Sequence, residues 1–122
     1  MISNRNDNNT YISFLRNEVK NFVQGRDWTQ YHTPKNLIQA LQIEAAELSE
    51  LFLFKELDLN DILEDKELIG KISNEVADVL IYLISLCNSL NIDLVNAFEK
   101  KMEMNRIKYP IREFNNGVYY KK

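Results

Sequence analysis

Residues 66–90, KELIGKISNEVADVLIYLISLCNSL, decide the fold. Ile69, Ile72, Val76, Val79, Leu83, Leu86 and Leu90 recur in steps of three and four, the period of one face of an α-helix. A long helix over Lys66–Leu90 follows, ended by Asn91. Upstream, Thr33-Pro34 reads as an N-cap followed by proline at the first helical position. It opens a second helix over Pro34–Lys55, with Leu37, Leu41, Ala45, Leu48, Leu51 and Phe52 on one face. The acidic, mixed stretch Leu57–Asp65 between these helices reads as a loop or ragged turn. Nearer the start, Tyr11, Phe14, Leu15, Val19, Phe22 and Val23 place a helix over Thr10–Gln24, with Gly25 as its stop and Gly25–Thr33 as a connector. Downstream, Asp93 caps a fourth helix reaching Ile107, and Tyr109-Pro110 ends it, because the residue before proline is pushed away from helical angles. The only strand-like alternation is Val118–Tyr120.

Helical periodicity broken by only three glycines and two prolines gives an all-α class, an antiparallel four-helix bundle with short connections. The expected organisation is a frayed, asparagine-rich terminus at 1–9, a helical domain at 10–110 and a tail at 111–122. The chain has 122 residues, 45% hydrophobic and 27% charged, as one globular domain does. A helical layer of this size struggles to cover its own apolar faces, which favours self-association. A net charge of −3 argues against a broad grip on a nucleic acid polymer, which needs clustered Lys and Arg. Cys87 is the sole cysteine, which rules out an intrachain disulfide and suits a reducing compartment. No stretch approaches the roughly 20 apolar residues that span a bilayer, and no secretory signal opens the chain. A cytoplasmic protein with no membrane association is expected.

Four carboxylates stand out against this pattern. Glu44 and Glu47 on the second helix, and Glu75 and Asp78 on the third, are each spaced i, i+3, so each pair projects from one side of its helix. Glu44 falls among Leu37, Leu41, Leu48 and Leu51, inside the apolar stripe, while Glu47 lies on its edge. Glu75, Asp78 and Tyr82 run along one margin of the other core face. Like charges at this spacing repel, and a partly buried carboxylate is costly unless paired or metal-bound. Carboxylate oxygens are what Mg²⁺ prefers, and Mg²⁺ commonly binds substrate phosphates as well. A single Glu-x-x-Glu is usually a solvated helix surface, as Glu50, Glu56, Asp58, Asp61, Glu64, Asp65 and Glu67 are expected to be. A carboxylate-bridged di-iron bundle would need Glu-x-x-His motifs, and the one histidine, His32, lies outside both pairs.

The run Glu44-Ala-Ala-Glu47-Leu-Ser-Glu50-Leu-Phe, followed by Glu75-Val-Ala-Asp78-Val-Leu-Ile-Tyr82, resembles the MazG-type all-α nucleoside triphosphate pyrophosphohydrolases. Trp28-Thr-Gln-Tyr-His32-Thr-Pro34-Lys-Asn-Leu and Lys101-Met-Glu-Met-Asn105-Arg106 extend the likeness to the dCTP pyrophosphatase branch, from Asp27-Trp28 to Tyr109-Pro110. The resemblance implies cleavage between the α and β phosphates, giving a nucleoside monophosphate and pyrophosphate. It implies that Glu44, Glu47, Glu75 and Asp78 hold Mg²⁺ and are catalytic. It implies further that Lys101 and Arg106 face phosphate oxygens and that Asn105 bonds sugar or phosphate. The base pocket would use Trp28, His32 and Tyr82, with Phe54 where the branch usually carries Trp. That departure loosens the tie to dCTP, since Phe lacks the indole N–H.

Each of these residues also has a plainer reading: Tyr82 as a helix-interface residue, Trp28 as an anchor for the connector, His32 as a cap, and Lys101 as a solvated helix end favoured by the dipole. The resemblance also implies a homodimer or homotetramer, and the apolar surplus at Leu51, Leu53, Phe54, Ile81 and Ile84 fits one. Three other readings compete: pyrophosphohydrolysis of dUTP, pyrophosphohydrolysis of phosphoribosyl-ATP, and a non-catalytic helical protein that binds a partner. A partner-binding module would not require both carboxylate pairs.

Overall fold

The structure is a computed structural model that describes residues 3–122. It is all-α, as the periodicity predicts: α1 (Ile12–Gly25), α2 (Pro34–Glu50), α3 (Leu59–Glu64), α4 (Lys66–Leu90), α5 (Leu94–Lys108) and α6 (Ile111–Phe114), with a 3₁₀ turn at Thr29–Tyr31. The four long helices are the four expected. The chain divides after Asn91 into two compact units.

In the first unit α4 is the central element, packed most extensively on α2 and also on α1 and α3. Its start is fixed by Asp65, whose carboxylate accepts the Leu68 N–H at 3.0 Å and satisfies one of the open donors of the first turn. Its end is Asn91 in the left-handed region (φ 53, ψ 40), which an asparagine tolerates. Thr33 caps α2 by accepting from the Asn36 N–H at 3.3 Å, with Pro34 in the first turn. Arg16 Nε donates to Asn88 Oδ1 at 3.0 Å and Asn88 Nδ2 donates to the Arg16 carbonyl at 3.2 Å, joining α1 to α4. The apolar core consists of Leu37, Leu68, Ile84 and Cys87.

Several details differ from the sequence expectations. First, α2 ends at Glu50 rather than Lys55. Phe52, Leu53 and Lys55 each donate to a carbonyl three residues back, so the chain leaves the helix through tight turns, and Phe54 adopts φ 58. Second, the stretch read as a loop at Leu57–Asp65 contains α3. Asp58 and Asp61 form a reciprocal capping box there, the Asp61 N–H reaching Asp58 at 2.9 Å and the Asp58 N–H reaching Asp61 at 3.1 Å. Third, Val118–Tyr120 forms no strand. Fourth, Ile84 is not surplus surface: it is 1% exposed, because α4 is packed by three helices and buries more than one stripe. Val76 and Leu83, on the expected core stripe, are instead among the exposed apolar residues.

The second unit comprises Ile92–Lys122. Asp93 caps α5 by accepting the Asn96 N–H at 2.9 Å, and α5 runs to Lys108, just before Tyr109-Pro110. After α6 the tail folds back on it. Phe114 packs between Tyr109, edge-to-face at a ring distance of 5.3 Å, and Tyr120, tilted at 5.0 Å, and Glu113 binds both Tyr120 and Lys122. Residues 3–10 form asparagine-rich turns, such as Asn6 N–H to Asn9 Oδ1 at 2.7 Å; Met1 and Ile2 of the expected frayed terminus lie outside the described residues.

Candidate metal centre

The packing of α2 against α4 determines which carboxylates meet. Glu44 projects from α2, and Glu75 and Asp78 project one turn apart from α4. One carboxylate oxygen of each lies within 4.8 Å of the others. Glu47, one turn beyond Glu44, is exposed at the rim and reaches the Glu44 carboxylate. The two i, i+3 pairs thus converge, with Glu44, Glu75 and Asp78 as the compact set and Glu47 beside it.

The electrostatics of this cluster are unfavourable without a counter-charge. The Glu44 carboxyl is pushed up to about 7, first by burial, then by the Glu47 carboxylate, and further by Asp78 and Glu75. Glu75 Oε2 is buried with no hydrogen-bond partner. A buried acceptor left unpaired, among like charges, is the arrangement proteins avoid unless something completes it. An all-oxygen donor set suits a hard divalent cation, so the residues present fit a metal ion.

The remaining residues singled out by sequence fall in several places. Trp28 is 44% exposed and packs edge-to-face on Phe22, itself an exposed residue, at 5.8 Å. Phe54 is 98% exposed and held at positive φ. Tyr82 is half-buried on α4, one turn beyond Asp78. Lys101, Asn105 and Arg106 belong to α5 of the second unit, where Arg106 pairs with Glu103 at 3.2 Å and the Asn105 carbonyl accepts the Tyr109 N–H at 2.8 Å.

His32 lines a cleft of about 620 Å³ between α1 and α4, together with Arg16, Asn17, Lys20, Ser85 and Asn88. Sequence reasoning missed this cleft. The signal available was a small polar residue, Ser85, inside an otherwise apolar helical run, but serine in a helix is common and the α1–α4 pairing that encloses it is a tertiary fact.

The sequence profile of the MazG-like family matches residues 40–121. The dCTP pyrophosphatase 1 of Rattus norvegicus is 41% identical over 93 residues, which are 74% of this chain and 54% of that protein. Its counterpart in Homo sapiens is 39% identical over 90 residues, 73% of this chain and 53% of that protein. The chain therefore spans about half the length of the curated relatives it matches. Among solved structures, a pyrophosphatase from Archaeoglobus fulgidus superposes with a TM-score of 0.75 at 35% identity, covering 90% of this chain and 99% of that one.

Proposed function

The chain belongs to the MazG-like family, and from that premise we propose that it is an enzyme hydrolysing nucleoside triphosphates between the α and β phosphates. Its products are a nucleoside monophosphate and pyrophosphate, its preferred substrate dCTP or a related deoxynucleotide, and its role control of the nucleotide pool. The observation that carries this reading is the convergence of Glu44, Glu75 and Asp78 within 4.8 Å, with Glu75 Oε2 buried and unpartnered. Relatives named dCTP pyrophosphatase 1 and a pyrophosphatase of known structure support the same chemistry.

In this reading Glu44, Glu47, Glu75 and Asp78 hold Mg²⁺. When bound, the ion neutralises phosphate charge and lowers the pKa of a coordinated water. The protein's own contribution is positional. Glu75 and Asp78 sit one turn apart on the rigid α4, and α2 presents Glu44 against them, so these three carboxylates are preassembled for a hard cation, with Glu47 beside them. Lys101 and Arg106 pair with phosphate oxygens, Asn105 bonds sugar or phosphate, and Trp28, His32, Phe54 and Tyr82 serve the base.

The chain assembles as a homodimer or homotetramer in the same proposal. Leu53 at 59%, Phe54 at 98% and Ile81 at 42% exposure leave apolar surface that a second copy would cover. Among the described residues no single helix is long and apolar enough to cross a membrane.

The test is a panel of ribo- and deoxynucleoside triphosphates with Mg²⁺, read by pyrophosphate release. A cytosine deoxynucleotide is expected to turn over fastest. Preference for dUTP or phosphoribosyl-ATP would reassign the substrate, and no turnover of any nucleotide would favour a partner-binding protein.

A further inference from the structure

Ser85 lies on α4 and is 6% exposed, yet its hydroxyl makes no hydrogen bond. It lines the α1–α4 cleft, and so does His32, whose Nδ1 is also buried without a partner. Two buried, orphaned polar atoms on residues that line one cavity mark a place where a hydrogen-bonding group would be satisfied. At about 620 Å³ the cleft has the size of a small-molecule site. Among the described residues no carboxylate lines it, so it does not suit a cation. Its wall is fixed by the paired hydrogen bonds between Arg16 and Asn88.

The position of the cleft along α4 connects it to the acidic cluster. At about 100° per residue, Asp78, Tyr82, Ser85 and Ser89 fall within about 60° of one helix face. Seven residues at a rise of about 1.5 Å place Ser85 about 10 Å beyond Asp78 along the axis. A nucleotide whose phosphates lie at the carboxylates and whose base extends along this face of α4 would bring that base to Ser85.

We propose that the Ser85 hydroxyl is a specificity-determining group of this protein, hydrogen-bonding the edge of the substrate's base in the α1–α4 cleft beside His32. The assignment rests on the nucleotide-hydrolysing function proposed above. It differs from a purely aromatic base pocket, because it makes recognition depend on a neutral hydroxyl able to donate and accept.

The experiment compares wild-type protein with Ser85→Ala by calorimetric titration in Mg²⁺. The probes are the α,β-methylene analogue of dCTP and, as a base-free control, 2-deoxyribose 5-triphosphate. Loss of one neutral buried hydrogen bond is expected to weaken the nucleotide analogue about two- to ten-fold and leave the base-free control unchanged. The melting temperature of Ser85→Ala is expected to hold or rise, because the variant removes a buried group that has no partner in the free protein. Unchanged affinity for the analogue overturns the proposal while leaving nucleotide hydrolysis standing. An equal loss for both probes, or a lowered melting temperature, assigns Ser85 a structural role and also overturns it. If the wild type binds neither probe, the nucleotide reading itself fails and this inference falls with it.

Discussion

Glu44→Gln separates the cost of the acidic cluster from its use. In the metal-free protein Glu44 titrates at about 7, against 4.5 for an ordinary glutamate, because burial and the neighbouring carboxylates disfavour its charge. A folded-state pKa raised above the unfolded value means that the folded protein holds the extra proton between these limits. Stability from this group is therefore fully present below about 4.5 and declines as pH rises towards 7. At about 1.4 kcal/mol per unit the full shift would be worth roughly 3 kcal/mol. Glu44 is only partly buried, and solvent screening reduces that to about 1–2 kcal/mol. Glutamine carries no charge at any of these pH values. Glu44→Gln is expected to match wild type near pH 5 and exceed it by about 1–2 kcal/mol at pH 8, a gain of several degrees in melting temperature for a domain of this size. With Mg²⁺ in excess the order reverses, since wild type gains from the ion and the variant lacks a ligand. Thermal melts at both pH values, in EDTA and in Mg²⁺, check this. A variant uniformly less stable than wild type in EDTA, or a wild type that gains stability from pH 5 to pH 8 without metal, would refute the reasoning.

The other expectations follow from the same structure. Glu47→Gln and Asp78→Asn should each lower kcat/KM by at least about a hundred-fold, the scale of losing a group that stabilises transition-state charge, with helicity unchanged by circular dichroism; full activity in either removes that residue from the metal site. Ile84→Ala, at a position 1% exposed, should destabilise by about 2–5 kcal/mol in denaturant titration, whereas a loss below about 1 kcal/mol would place Ile84 at a surface. Phe54→Gly relieves a left-handed backbone that costs a bulky residue about 1–2 kcal/mol, and it removes a ring that is 98% exposed. Helix content should hold while self-association weakens and KM rises; an unchanged mass distribution and KM would show that Phe54 serves neither.

The sequence carried the all-α class because helical periods are local. Thr33 and Asp93 acted as the caps read for them and Asn91 stopped α4 as read, whereas Asp65, read as a solvated charge, proved to cap α4. The convergence of Glu44 with Glu75 and Asp78 was half legible: the i, i+3 spacing put each pair on one side of its helix, but only the α2–α4 packing brings the pairs together. The capping box of α3 was overlooked because two aspartates stand where Ser or Thr with Glu is the familiar pattern. Ile84 was misplaced for a different reason. A helical wheel presumes one buried face, and α4 is packed by three helices. Ser85 and the α1–α4 cleft depend on the contact between two helices distant in sequence, which no local pattern encodes.

The most direct measurement is the identity of the phosphorus products. Phosphorus NMR of dCTP incubated with the protein and Mg²⁺ should show dCMP and pyrophosphate growing in equal amounts, with the reaction absent in EDTA and restored by Mg²⁺. Appearance of dCDP with orthophosphate, or no change in the triphosphate resonances, would contradict cleavage between the α and β phosphates at the Glu44, Glu47, Glu75 and Asp78 centre.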